Sequence, residues 1–133
     1  MSDEFRTPDV LREELRCQSR AYLNSALTRG HIGSTIGYLN AQLGGDENRR
    51  RVIGWLFYDD VEGEIFEAHS AHVTAGQWQA LFNWVNSYQD QGGRWQPSMR
   101  FVVECEQLLR FLNPLWAQRE KERAIQNGQL EMF

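Results

Sequence analysis

Apolar positions recur at three- and four-residue spacing along most of this chain, which is the signature of amphipathic helices. Leu11, Leu15, Tyr22 and Ala26 share one face of a segment that opens on Thr7-Pro8-Asp9. That opening is a helix start: a capping hydroxyl, a proline at the first helical position and an acid in the first turn. It predicts a helix from Pro8 to Arg29, stopped by Gly30. Ile32, Ile36, Leu39 and Leu43 then fall at spacings of four, three and four. Gly33, Gly37 and Ala41 form a second stripe of small residues on the same segment. Glycine weakens a helix by about 1 kcal/mol relative to alanine. The expected compensation is close approach of a neighbouring helix along that stripe. The alternative is an irregular chain until Thr35.

Gly44-Gly45-Asp46 breaks the pattern. The run Val52–Tyr58, the acidic turn Asp59-Asp60-Val61-Glu62-Gly63 and the segment Glu64–Ser70 can pair as a β-hairpin. The same residues fit a helix from Glu47 to Phe57, capped by Asp46, followed by a loop. The helix is preferred because the other elements are helical. Thr74-x-x-Gln77 is a capping box ahead of Trp78, Leu81, Phe82 and Val85, predicting a helix to Gln89 with a stop at Gly92-Gly93. Pro97-Ser98 opens a further helix with a wide apolar face: Phe101, Val102, Cys105, Leu108, Leu109 and Leu112. Asn113-Pro114 is expected to end it and start a last helix through Gln126. The stretch Gln118–Arg123 is polar throughout, so only Leu115 and Trp116 of that last helix are expected to pack deeply. The expectation is an all-α fold: a single compact domain of four to six helices over 1–127, a peptide tail at 128–133, and a short β-hairpin insert as the alternative over 52–70.

The chain of 133 residues suits one domain, and its net charge of −4 gives no general attraction for polyanions. Cys17 and Cys105 fit no metal or redox spacing and read as small apolar residues in a reducing compartment. Met1–Pro8 is polar and acidic, unlike a signal peptide, and no apolar run is long enough to span a bilayer. A cytoplasmic protein without a membrane segment is expected. Among the five tryptophans, Trp78 and Trp116 read as core, and Trp84 and Trp95 are the better candidates for a partner surface, with core use still the preferred reading.

The residues Gln129-Leu130-Glu131-Met132-Phe133 look like a docking peptide placed after a helix-ending Asn127-Gly128. They resemble the pentapeptide by which bacterial replication and repair proteins bind the ring-shaped sliding clamp, commonly Gln-Leu-(Ser/Asp)-Leu-Phe. The resemblance covers five residues of 133. It implies that Gln129 enters a small polar subsite and that Leu130, Met132 and Phe133 fill an apolar cleft. Met132 stands where leucine is commoner, a change that conserves volume. Glu131 keeps the acidic character of the third position, and a carboxylate follows Phe133. Burying the three apolar side chains is worth roughly 1.5–3 kcal/mol each, against the cost of ordering the peptide. A dissociation constant on the order of micromolar follows. The alternative is a tail folded onto the domain's own apolar surface.

Other constellations are less specific. Arg12, Arg16 and Arg20 line one face of the first helix and, with Arg49-Arg50-Arg51, could grip DNA phosphates. Helix-surface ion pairs with Asp9 and Glu13 are the alternative. His69-x-x-His72, beside Glu67 and the acids of 59–64, offers ligands for a divalent metal in a nuclease or hydrolase, but polar residues exposed before a helix cap are the preferred reading. His31 reads as a local hydrogen-bonding residue. No phosphate-binding loop or cofactor motif occurs. A binding module is favoured over an enzyme, with the bacterial sliding clamp as partner, DNA as a second partner, no cofactor, and an oligomeric state that the sequence leaves open.

Overall fold

The computed structural model describes residues 5–22, 27–58, 65–86 and 97–126. Among them are five α-helices, α1 (Pro8–Ala21), α2 (Arg29–Leu43), α3 (Asp46–Phe57), α4 (Ala75–Val85) and α5 (Met99–Gln126), with a 3-10 turn at Ser70–His72. No described residue lies in a strand. The all-α expectation holds, and 52–57 is helical. The loop of the alternative hairpin, 59–64, lies outside the described residues.

The helix starts follow local chemistry. Thr7 Oγ1 accepts the Val10 N–H ahead of Pro8. Thr74 and Gln77 close the expected box, each side chain accepting the other's backbone N–H, at 3.1 and 2.9 Å. Ser98 Oγ accepts the Phe101 N–H at 3.1 Å and so caps α5. The cap of α3 is Gly45 rather than Asp46, which falls in the first turn.

The first helix ends earlier than its pattern predicts. It stops at Ala21, and Gly30 lies inside α2 rather than between helices. Thr28 supplies the missed cap: its Oγ1 accepts the His31 N–H, and His31 Nδ1 accepts the Thr28 N–H. Tertiary packing agrees with an early stop. A methyl at Gly76 of α4 would stand 2.2 and 2.5 Å from the carbonyl oxygens of Ser19 and Tyr22, so α4 crosses directly over the end of α1.

The opposite correction applies to α5. Asn113-Pro114 does not divide it, and the helix runs unbroken from Met99 to Gln126. Proline in a helix interior costs about 3 kcal/mol, because it removes a hydrogen bond and crowds the preceding turn. Here both flanks are anchored: Leu112 and Trp116 are buried, and Phe111 meets Trp55 edge-on at 5.7 Å. Packing on each side overrides the local signal.

The core is one cluster. Leu11, Leu15, Leu39, Leu43, Val52, Leu56, Leu81, Val85, Phe101, Leu108 and Leu112 are wholly buried. Within it α4 packs chiefly against α1 and α2, while α5 touches both α1 and α2. Gly33 and Gly37 do not touch a neighbouring helix, and a methyl at either would meet nothing within 4 Å. The close approach expected of them is made by Gly76, and by Gly54 of α3, where a methyl would lie 1.8 Å from the Phe66 carbonyl oxygen. That contact seats the extended residues 65–69 on α3, where the Ala68 N–H donates to Arg50 O.

Candidate functional site

The pentapeptide Gln129-Leu130-Glu131-Met132-Phe133 lies outside the described residues, as do Trp95 and the acids of 59–64. The helix leading toward the pentapeptide is described. Beyond Trp116, α5 has no buried residue, and from Ala117 to Gln126 it is largely exposed and mostly polar. Gln118 donates to Glu122 across one turn, a contact on the helix surface.

The arginines expected to meet DNA are mostly turned into the fold. Arg12 lies over the Trp55 ring, 4.4 Å from its centroid. Arg16 donates to the carbonyl oxygens of Leu56 (2.6 Å) and Trp55 (3.5 Å), satisfying acceptors in the last turn of α3. Arg49 is buried and bonds Asn40 Oδ1 at 3.0 Å and Asp46 Oδ1 at 2.8 Å, tying the α2–α3 corner. Arg50 pairs with Glu67 at 3.3 Å. Arg51 pairs with Glu47 and Glu120 at 3.1 and 2.7 Å, with its guanidinium 5.8 Å from the Trp116 ring centre. Of the six, only Arg20 is exposed. The expected stripe therefore works largely as internal bracing.

His69 and His72 are both exposed, with ring centroids 5.9 Å apart. His72 Nδ1 accepts the His69 N–H at 3.2 Å, and its backbone oxygen accepts from the Tyr58 hydroxyl. Glu67, their nearest expected carboxylate, is engaged by Arg50. Among the described residues no group of three or more His, Cys, Asp or Glu side chains is placed to hold a metal. His31 is the local hydrogen-bonding residue expected of it.

Two features went unread in the sequence. One is a buried ionic knot. Glu104 sits on the apolar face of α5, between Phe101 and Leu108, and its side chain is wholly buried. Arg6 reaches it with its backbone N–H (2.8 Å), Nε (2.9 Å) and Nη2 (2.8 Å), and the Trp84 indole N–H donates at 3.0 Å. Arg6 also pairs with Glu14, and Arg100 lies 3.5 Å from Glu104. Burial alone would raise the Glu104 pKa. The Arg6 hydrogen bonds and charge, with the Trp84 N–H, outweigh it and hold the carboxyl below its usual range. Trp84 is thereby a core residue rather than a partner surface, only 4% exposed and edge-on to Phe101 at 4.8 Å. Burial raises the Cys105 thiol pKa, so this cysteine is inert packing.

The other is an open groove of about 550 Å³ where the end of α2 meets the middle of α5. Val102, Leu109 and Pro114 give it an apolar floor, with Gln42, Glu106 and Arg110 among its polar edges.

No helix among the described residues is long and apolar enough to cross a membrane. No family model matches the chain, and neither a curated protein nor a solved structure shows significant similarity to it. What the protein does must therefore be argued from its own residues.

Proposed function

We propose that this is a small helical accessory protein that docks on the bacterial DNA sliding clamp through Gln129–Phe133. It acts in the cytoplasm, in DNA replication, repair or the maintenance of a mobile element. The observation that carries this reading is the pentapeptide itself: an amide, a leucine, an acid and two large apolar side chains, in the order that clamp-binding peptides use. Its setting supports it. The helix that precedes the peptide contributes no buried residue in its last turns, from Ala117 to Gln126.

The affinity expected of five residues is on the order of micromolar. Such a contact exchanges readily, which suits a ring shared by many partners. More than one occupied site on the ring would strengthen it. A pull-down with purified bacterial sliding clamp tests the reading. The full chain should be retained, and a Leu130→Ala/Phe133→Ala variant should be lost. Equal retention of both, or of neither, overturns it.

A further inference from the structure

The start of α2 is closed by an unusual partner. A capping box normally ends in glutamate or glutamine, whose oxygen accepts the N–H of the capping residue. Gln77 does this at the start of α4. In α2 the same position holds His31, and its Nδ1 accepts the Thr28 N–H at 3.2 Å while Thr28 Oγ1 accepts the His31 N–H at 3.2 Å. A glutamine amide accepts at any pH. An imidazole Nδ1 accepts only while it carries no proton.

Protonation has a second effect there, because a positive charge in the first turn opposes the helix dipole. The ring rests on Phe82 of α4, with centroids 5.3 Å apart, and Gln79 and Asn83 on that helix are uncharged. The charged neighbour on α2 is Arg29, of the same sign. The buried Thr35 donates its hydroxyl to the His31 carbonyl oxygen at 2.8 Å, so movement of His31 reaches the interior.

We propose that His31 is an acid-released latch on the start of α2, holding residues 28–31 in the helix while its imidazole is neutral and freeing them when it is protonated. The sign follows from the bonding form. The latch contributes stability while the imidazole is neutral and loses it on acidification. The α4 start, closed by Gln77, does not respond. This device is independent of the docking peptide and stands or falls separately from it.

Two measurements on the full chain test it. Nitrogen-15 NMR at pH 8 should show His31 as the Nε2–H tautomer, leaving Nδ1 as acceptor; the Nδ1–H tautomer would overturn the proposal. Denaturation of the wild type and of His31→Gln at pH 8 and pH 5 is the second. Glutamine keeps the box without a nitrogen that takes up a proton, and His69 and His72 are present in both proteins. Between these pH values the wild-type unfolding constant should rise about fivefold more than that of His31→Gln, the size of one lost cap. An equal pH response of the two proteins would contradict the latch.

Discussion

From Phe101 to Trp116, α5 turns phenylalanine, leucine, cysteine and a charged glutamate into the centre of the molecule. From Ala117 to Gln126 no residue of the same helix is fully buried, and its contacts include the Arg51–Glu120 ion pair and the Gln118–Glu122 hydrogen bond. The first half packs against α1, α2 and α4, whereas the second adds nothing to the core and precedes the pentapeptide in sequence. Changes in the first half should be felt as stability. Changes beyond the second should be felt as binding.

The largest expected effect is at Glu104. Replacing it by alanine strands the Arg6 guanidinium and the Trp84 N–H in the interior, and should cost about 3–5 kcal/mol in denaturant unfolding. The same replacement at Glu122 should cost at most ~0.5 kcal/mol. Similar losses at both sites would erase the distinction between the halves. The knot also predicts an acid limit. Because the folded carboxyl is held below its unfolded value, its contribution is fully present above the ordinary glutamate range and fades as pH falls below about 4. The Glu104→Gln variant should therefore lose less stability on acidification to pH 3 than the wild type.

Pro114, at the border of the two halves, should give the next effect with the opposite sign. Pro114→Ala restores an N–H for the Arg110 carbonyl and should stabilise by about 1–3 kcal/mol, read from the denaturant midpoint. A loss instead would mean that the proline is part of the packing between halves. Smaller still, Gly33→Ala should gain about 0.5–1 kcal/mol, since the outer face of α2 is as open as the end of α5. Destabilisation there would reveal a contact on that face.

Much of this architecture was legible because it is written locally. Thr7-Pro8, Thr74-x-x-Gln77 and Pro97-Ser98 mark their helix starts by hydrogen bonds within one turn, and the apolar spacing named most of the core. The failures share a cause: each depends on what lies across the fold. Gly33 and Gly54 are equivalent in a sequence, but only one faces another backbone. Trp84 falls well round the helix from Trp78, so spacing alone left a partner surface open for it, whereas α4 is enclosed almost all round, with Gly76, Trp78, Ala80, Leu81, Phe82, Trp84 and Val85 all buried. The arginine spacing was read correctly as a stripe, yet nothing in α1 reveals that Trp55 and the end of α3 lie against it. Glu104 gave one signal, an acid at a helical spacing from Phe101 and Leu108 on an apolar face, and its partner Arg6 lies 98 residues away. The break between α1 and α2 was placed too late, at Gly30, because histidine does not read as a box-closing residue. The candidate docking site is legible only as a motif, since its residues lie outside those described.

A single titration decides the main functional claim: purified sliding clamp into the full chain and into a chain lacking 128–133, each followed by a thermal melt. The account predicts a dissociation constant on the order of micromolar for the full chain, no binding without the peptide, and melting temperatures that agree within about 2 °C. Undiminished binding by the shortened chain, no binding by either, or a collapse of its melting temperature would contradict it.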